Sequence, residues 1–143
     1  VVVPLGGGGL LAGCAIAAKA LNPGIRVFGV EPEVANDYWL SLRQGERIEI
    51  ASPPTIADGL RTTKPGELNF AVIRELVEAV LLVSEVEIRE ATKFMVSRTK
   101  LLVEPSGAVG AVAVFHGKLP EGMRKVGVVL SGGNIDLEAF GTL

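Results

Sequence analysis

Apolar residues fall along this chain in short unbroken runs, and between them lie stretches with helical spacing. Three consecutive valines open it, and they favour an extended, buried backbone. Pro4 cannot donate to a ladder and closes that strand. Residues 26–30, 79–83 and 125–130 repeat the pattern as compact apolar runs bounded by turn residues, so four strands are expected. Glu31-Pro32 closes the second. Residues 10–21 are apolar almost all round, which predicts a helix buried on more than one side, ended by Asn22-Pro23-Gly24. Residues 37–44 read as a shorter helix stopped by Gly45. Helical spacing returns over 66–77 through Leu68, Val72 and Leu76. Ser84-Glu85-Val86-Glu87 has the form of a capping box, and the helix behind it sets Ile88, Ala91, Met95 and Leu102 on one stripe. Residues 106–115 are small and apolar. They predict a tightly packed helix capped by Ser106, in which Gly107 and Gly110 let neighbouring backbones approach.

Strands alternating with helices imply an α/β fold, a parallel β-sheet flanked by helices on both faces. Ligands in such folds sit at the carboxyl ends of the strands. Here those ends carry Gly6-Gly7-Gly8-Gly9, Glu31-Pro32, Ser84 and Ser131-Gly132-Gly133. The stretch 47–66, with Pro53, Pro54 and Pro65, has little periodicity and is long for a connection, which suits a functional loop. The 143 residues fit one domain, 1–143, without internal repeats.

Composition narrows the function classes. The chain is 48% hydrophobic and 21% charged, enough apolar material for a good core. A net charge of −2 gives no polycationic surface, so no nucleic-acid partner is expected; Arg61 and Lys64 are local charges. One cysteine, Cys14, excludes an internal disulfide framework and reads as a buried inert thiol in the first helix. One cysteine and one histidine make no zinc set, and His116, near a helix end, reads as a terminal or surface residue. The first 18 residues are uncharged, but Pro4 and the glycines break any membrane helix, and no basic stretch marks a signal peptide. A cytoplasmic protein without a membrane partner is expected. The chain begins with Val in mid-strand, as a fragment or processed piece would.

The glycine run carries the first chemical signal. Four adjacent glycines leave backbone N–H groups unshielded at the start of a helix, where unpaired amides and the helix dipole together favour an anion. Two ligands suit it. Gly7-x-Gly9-x-x-Ala12 with Glu31 further on fits a nicotinamide-binding loop and its ribose acid. Alternatively the four amides form a cup for the phosphate of a smaller cofactor. A module that only holds phosphate or a cation is the non-enzymatic alternative.

Five segments in order, Pro4-Leu5-Gly6-Gly7-Gly8-Gly9-Leu10, Glu31-Pro32, Thr55-Ile56-Ala57-Asp58-Gly59, Glu104-Pro105-Ser106-Gly107-Ala108 and Val128-Val129-Leu130-Ser131-Gly132-Gly133-Asn134, resemble the fold-type II pyridoxal-phosphate enzymes of the threonine dehydratase and serine racemase group. The resemblance implies that Gly6, Gly7, Gly8, Gly9 and Leu10 hold the cofactor phosphate. It implies that Ser131 meets the pyridine nitrogen, and that Asp58 and Gly59 lie beside the ring. A neutral hydroxyl at that nitrogen makes a weaker electron sink than an aspartate, which suits loss of a β-hydroxyl more than transamination. Glu104 matches a glutamate near the pocket. Glu31, Ala35 and Asp37 match a divalent-cation site, two carboxylates and a carbonyl suited to Mg²⁺ or another hard cation.

The resemblance covers only the C-terminal portion of such a catalytic domain. The lysine that forms the family's Schiff base has no counterpart: Lys19, Lys64, Lys93, Lys100, Lys118 and Lys125 all lack its sequence context. No catalytic residue is therefore expected in this chain, and alone it is expected to be inactive. The intact enzyme is expected to be a threonine or serine ammonia-lyase acting on a small β-hydroxy amino acid. Serine racemase and hydroxyaspartate dehydratase share its motifs. A homo-oligomer or an N-terminal partner segment is expected to complete the site and to cover open sheet edges.

Overall fold

The computed structural model describes residues 1–136, Glu138 and Gly141. Three strands, β1 (Val2–Pro4), β2 (Phe28–Pro32) and β3 (Ala79–Val83), form a parallel sheet in the order β1-β2-β3. Val3 pairs with Gly29, and Gly29 with Val80. Among the described residues five α-helices accompany them: α1 (Gly9–Leu21), α2 (Asp37–Gln44), α3 (Glu67–Leu76), α4 (Glu85–Phe94) and α5 (Pro105–Phe115).

Strand alternation assigns the helices to two layers. Val2, Val30 and Val83 face one way and pack with Ile88, Ala91, Val109 and Val112, from α4 and α5. Val3 and Val80 face the other way, into a cluster with Leu11, Ala15, Tyr38, Phe70 and Ile73, from α1, α2 and α3. At Gly29 a Cβ would stand 2.7 Å from Leu11 Cδ2, so the missing side chain is what lets α1 lie close over the sheet.

Several boundaries differ from the sequence reading. The second strand begins at Phe28 rather than Arg26 and runs through Glu31 and Pro32, because β3 offers pairing partners as far as Val83. Residues 125–130 do not form a full strand: Val128 makes a single parallel bridge to Val2. Two hydrogen bonds hold it, Val2 N–H to the Gly127 carbonyl at 2.8 Å and Val129 N–H to the Val2 carbonyl at 2.9 Å. The helix buried on several sides is α5, whose residues from Pro105 to Ala113 are all buried, and not α1. α1 buries Leu11, Ala12 and Ala15 and exposes Leu10, Ile16 and Leu21; Cys14 is half-buried rather than buried.

Small residues explain why α5 fits where larger ones would not. A Cβ on Gly107 would meet the Gly132 carbonyl oxygen at 2.5 Å, and one on Gly110 would meet Val128 Cγ1 at 3.3 Å. Ser106 is not the cap of α5. Glu104 holds that position, with Pro105 in the first turn, and the Ser106 hydroxyl is used elsewhere. The capping box at Ser84 and Glu87 is present in both directions. α4 ends in a wide turn at Met95–Thr99, and Leu102 lies beyond it, exposed rather than on the apolar stripe. No described helix is long and apolar enough to cross a membrane.

Candidate functional site

The chain leaves β1 at Pro4 and enters α1 at Gly9, so the four glycines turn at the carboxyl end of a strand. Gly8, the N-cap of α1, has φ 86°, a left-handed conformation that glycine adopts without steric cost, and no side chain caps the helix. Among the described residues, the amides of Gly6, Gly7 and Gly8 donate to no protein group. The loop itself is held from behind. The Tyr38 hydroxyl and the Asn69 side-chain amide both donate to the Gly7 carbonyl, at 3.2 and 2.8 Å.

In front of the loop lies a cleft of about 270 Å³. Residues 6–10 line it together with Gly59, Leu60, Glu104, Ser106 and Ser131. Segments far apart in sequence therefore converge where the motifs placed them. The short turn Asp58–Leu60 is fixed to α5 by Ser106, whose hydroxyl accepts from Gly59 N–H at 2.9 Å and donates to Asp58 Oδ1 at 3.3 Å. The Ser131 loop is tied to the start of α5 by Glu104 N–H, which donates to the Gly132 carbonyl at 3.1 Å. Glu104 is no solvated charge: it lines the cleft, and its carboxylate occupies the space a side chain on Gly132 would need.

A second polar site lies behind the loop. Glu31 is fully buried, and its carboxylate accepts from Tyr38 N–H at 3.1 Å and Trp39 N–H at 2.9 Å, the first turn of α2. Asp37 is also fully buried; one oxygen accepts from the Thr62 hydroxyl at 3.3 Å, while Oδ2 has no partner. The two carboxyls are near enough for each to influence the other's protonation. Burial drives Glu31 well above the ordinary carboxylate range, against the pull of the Trp39 and Tyr38 amides. It lifts Asp37 to about 6. The structure thus brings two of the three expected cation ligands together, with Ala35 buried on the same connection. Among the described residues no group of three or more acidic, histidine or cysteine side chains is gathered for a metal. The same geometry removes the ribose reading of Glu31: a buried carboxylate occupied by the α2 amides has no reach to a dinucleotide.

Of the other features weighed in the sequence, Lys19 points along α1 to the Pro23 carbonyl at 3.5 Å. Arg61 is not merely solvated, since its guanidinium donates twice to the Thr55 carbonyl, at 3.0 and 2.8 Å. Tyr38, Thr62, Asn69 and Ser106 were not signalled as site residues, because each acts on a partner 25 or more positions away.

A glycine loop opening a helix at a strand end, facing a serine–glycine loop across a cleft, defines a phosphate-cofactor protein of α/β class. The chain belongs to the pyridoxal-phosphate dependent enzyme family, whose pattern matches residues 1–132. It is 47% identical over 141 residues to the L-threo-3-hydroxyaspartate ammonia-lyase of Saccharomyces cerevisiae, covering 99% of this chain and 43% of that protein. Among solved structures it resembles maize serine racemase with a TM-score of 0.92 at 41% identity, covering 99% of this chain and 44% of that one. It also resembles a T.th. threonine deaminase with a TM-score of 0.89 at 47% identity, covering 94% of this chain and 49% of that one. The fold is thus that of the fold-type II pyridoxal-phosphate enzymes, and the chain spans less than half the length of these relatives.

Proposed function

We propose that this chain is the C-terminal portion of the catalytic domain of a pyridoxal-phosphate dependent ammonia-lyase acting on threonine, serine or 3-hydroxyaspartate. The observation that carries the reading is the set of amides at residues 6–8, which donate to no group among the described residues, at a helix start lining a cleft that Ser131 also lines. The residues fit the cofactor. The amides of Gly6, Gly7, Gly8, Gly9 and Leu10 would hold its phosphate, Ser131 its ring nitrogen, and Gly59 would stand beside the ring. Pyridoxal phosphate, when bound, withdraws electrons from the α-carbon of an amino acid, which acidifies its proton and eases departure of a β-hydroxyl. The part of this chain is to bind and orient: Ser106 fixes the turn that carries Gly59, and Glu104 N–H anchors the loop that carries Ser131.

None of the described residues lining the cleft is a lysine. We infer that the amine needed for covalent work comes from a separate N-terminal region, and that the intact protein assembles as an oligomer in the cytoplasm. The acidic pair suits a divalent cation. Asp37 Oδ2 is buried without a partner beside Glu31, and a hard cation such as Mg²⁺ would satisfy both, with the Ala35 carbonyl and water completing its shell.

A serine racemase reading uses the same cleft and is favoured by the likeness to maize serine racemase over 99% of the chain. The deciding experiment incubates the full-length protein and pyridoxal phosphate with L-threonine, L-serine and L-threo-3-hydroxyaspartate. It follows 2-oxo acid release, and D-serine by chiral chromatography. Release of 2-oxo acid from at least one substrate is expected. Neither 2-oxo acid nor D-serine from any of them would refute the assignment.

A further inference from the structure

Tyr38 stands between two sites that share no residue. Its backbone amide donates to Glu31 at 3.1 Å, and it follows Asp37 in the first turn of α2. Its hydroxyl reaches the other way and donates to the Gly7 carbonyl at 3.2 Å. The ring is fully buried, leans on Phe70 with centroids 6.5 Å apart, and fills the space where a Gly8 side chain would be. The Gly7–Gly8 peptide is trans, so a carbonyl held towards Tyr38 turns the Gly8 N–H the opposite way. Thr62 makes a parallel link: its hydroxyl donates to Asp37 Oδ1, and its methyl lies under Gly7.

We propose that Tyr38 is a positioning residue joining the acidic pair to the glycine loop, so that a divalent cation at Glu31 and Asp37 and a phosphate at the loop strengthen each other's binding. The inference rests on the phosphate-cup and cation readings given above. Its physical basis is the fully buried Asp37, whose Oδ2 has no hydrogen-bond partner among the described residues. A cation there gathers both carboxylates and holds the first turn of α2. The Tyr38 hydroxyl is then held against Gly7, and the loop amides keep one orientation. A phosphate on those amides fixes the loop and so favours the α2 position that closes the acidic pair. Linkage requires the two effects to be equal.

The test uses the full-length protein, with pyridoxal phosphate and Mg²⁺ as probes in equilibrium dialysis. In the wild type, saturating Mg²⁺ is expected to tighten pyridoxal phosphate roughly fivefold, about one hydrogen bond's worth. Saturating pyridoxal phosphate should tighten Mg²⁺ by the same factor. Tyr38→Phe keeps the ring and removes the hydroxyl, and it should bring both factors to one while Mg²⁺ alone still binds. Asn69→Ala removes the other donor to the Gly7 carbonyl without touching the acidic pair. It should weaken pyridoxal phosphate and keep the Mg²⁺ factor, which separates linkage from mere support of the loop.

A factor of one in the wild type overturns the proposal and needs no variant to fold. An undiminished factor in Tyr38→Phe overturns it as well. If the wild type binds no pyridoxal phosphate, the cup reading has failed; if it binds the cofactor but no Mg²⁺, the cation reading has failed. In either case the linkage falls with it, and the two failures are told apart by which probe is lost.

Discussion

A methyl group at Gly8 meets two obstacles at once, the left-handed backbone and the Tyr38 hydroxyl. Gly8→Ala is expected to destabilise the fold by about 1–2 kcal/mol from backbone strain alone. It should also weaken pyridoxal phosphate by at least roughly tenfold, since the loop must move to admit the side chain. Urea unfolding and dialysis read the two effects separately. Ser106 is the second test at this scale. It is buried and serves Gly59 and Asp58 together, so Ser106→Ala removes both of these hydrogen bonds and leaves the Gly59 amide only Asp58 Oδ1, at 2.9 Å within the same turn. A loss of about 1–3 kcal/mol in urea unfolding is expected. These residues show what local sequence conveys. The glycine loop is legible because four glycines are unusual wherever they occur. Tyr38 is not, because its meaning lies in a carbonyl 31 positions away, and nothing about Asp-Tyr-Trp announces that contact.

Among the elements, α5 does the most to bring the site together, since it touches the Asp58 turn at one point and the Ser131 loop at another. Gly107→Ala would set a methyl 2.5 Å from the Gly132 carbonyl and push the two backbones apart. A loss of about 2 kcal/mol or more is expected, with Ser131 displaced from the cleft. Weaker pyridoxal phosphate binding at unchanged Mg²⁺ affinity would show it. α4 gives a pH test. Burial pushes the Glu87 carboxyl up, but the Lys118 ammonium and Ser84 outweigh it, and Glu87 sits below its ordinary value of 4.5. A lowered folded value means stabilisation present above pH 4.5 and lost as pH falls through that lower value. Wild type should exceed Glu87→Gln in unfolding free energy at neutral pH, by about 1 kcal/mol or less because the group is partly solvated, and the gap should close in acid. The capping box was readable because its residues are neighbours. The opposite case is 125–130, where a strand-like run makes one bridge only: pairing belongs to the sheet, not to the run.

At the scale of the molecule, the alternation of apolar runs and helical spacing gave the parallel sheet and its two layers. It misjudged which helix is enclosed. An all-apolar face on α1 and one on α5 look alike in sequence, but only α5 is packed between the sheet and its neighbours, while Leu10, Ile16 and Leu21 of α1 stay exposed. The cleft is likewise a product of the whole chain, assembled from residues 4, 6–10, 59–60, 104, 106 and 131. Its described lining offers amides, hydroxyls and the Glu104 carboxylate but no lysine, so the 143-residue chain alone is expected to release no 2-oxo acid from L-threonine or L-serine. A coupled assay for 2-oxo acids checks this against the full-length protein. The most direct test of the central claim is an amide spectrum of full-length protein labelled with ¹⁵N-glycine and titrated with pyridoxal phosphate. The signals of Gly6, Gly7, Gly8 and Gly9 should move together and saturate with the cofactor. Cofactor binding that leaves those four signals in place would contradict the phosphate cup.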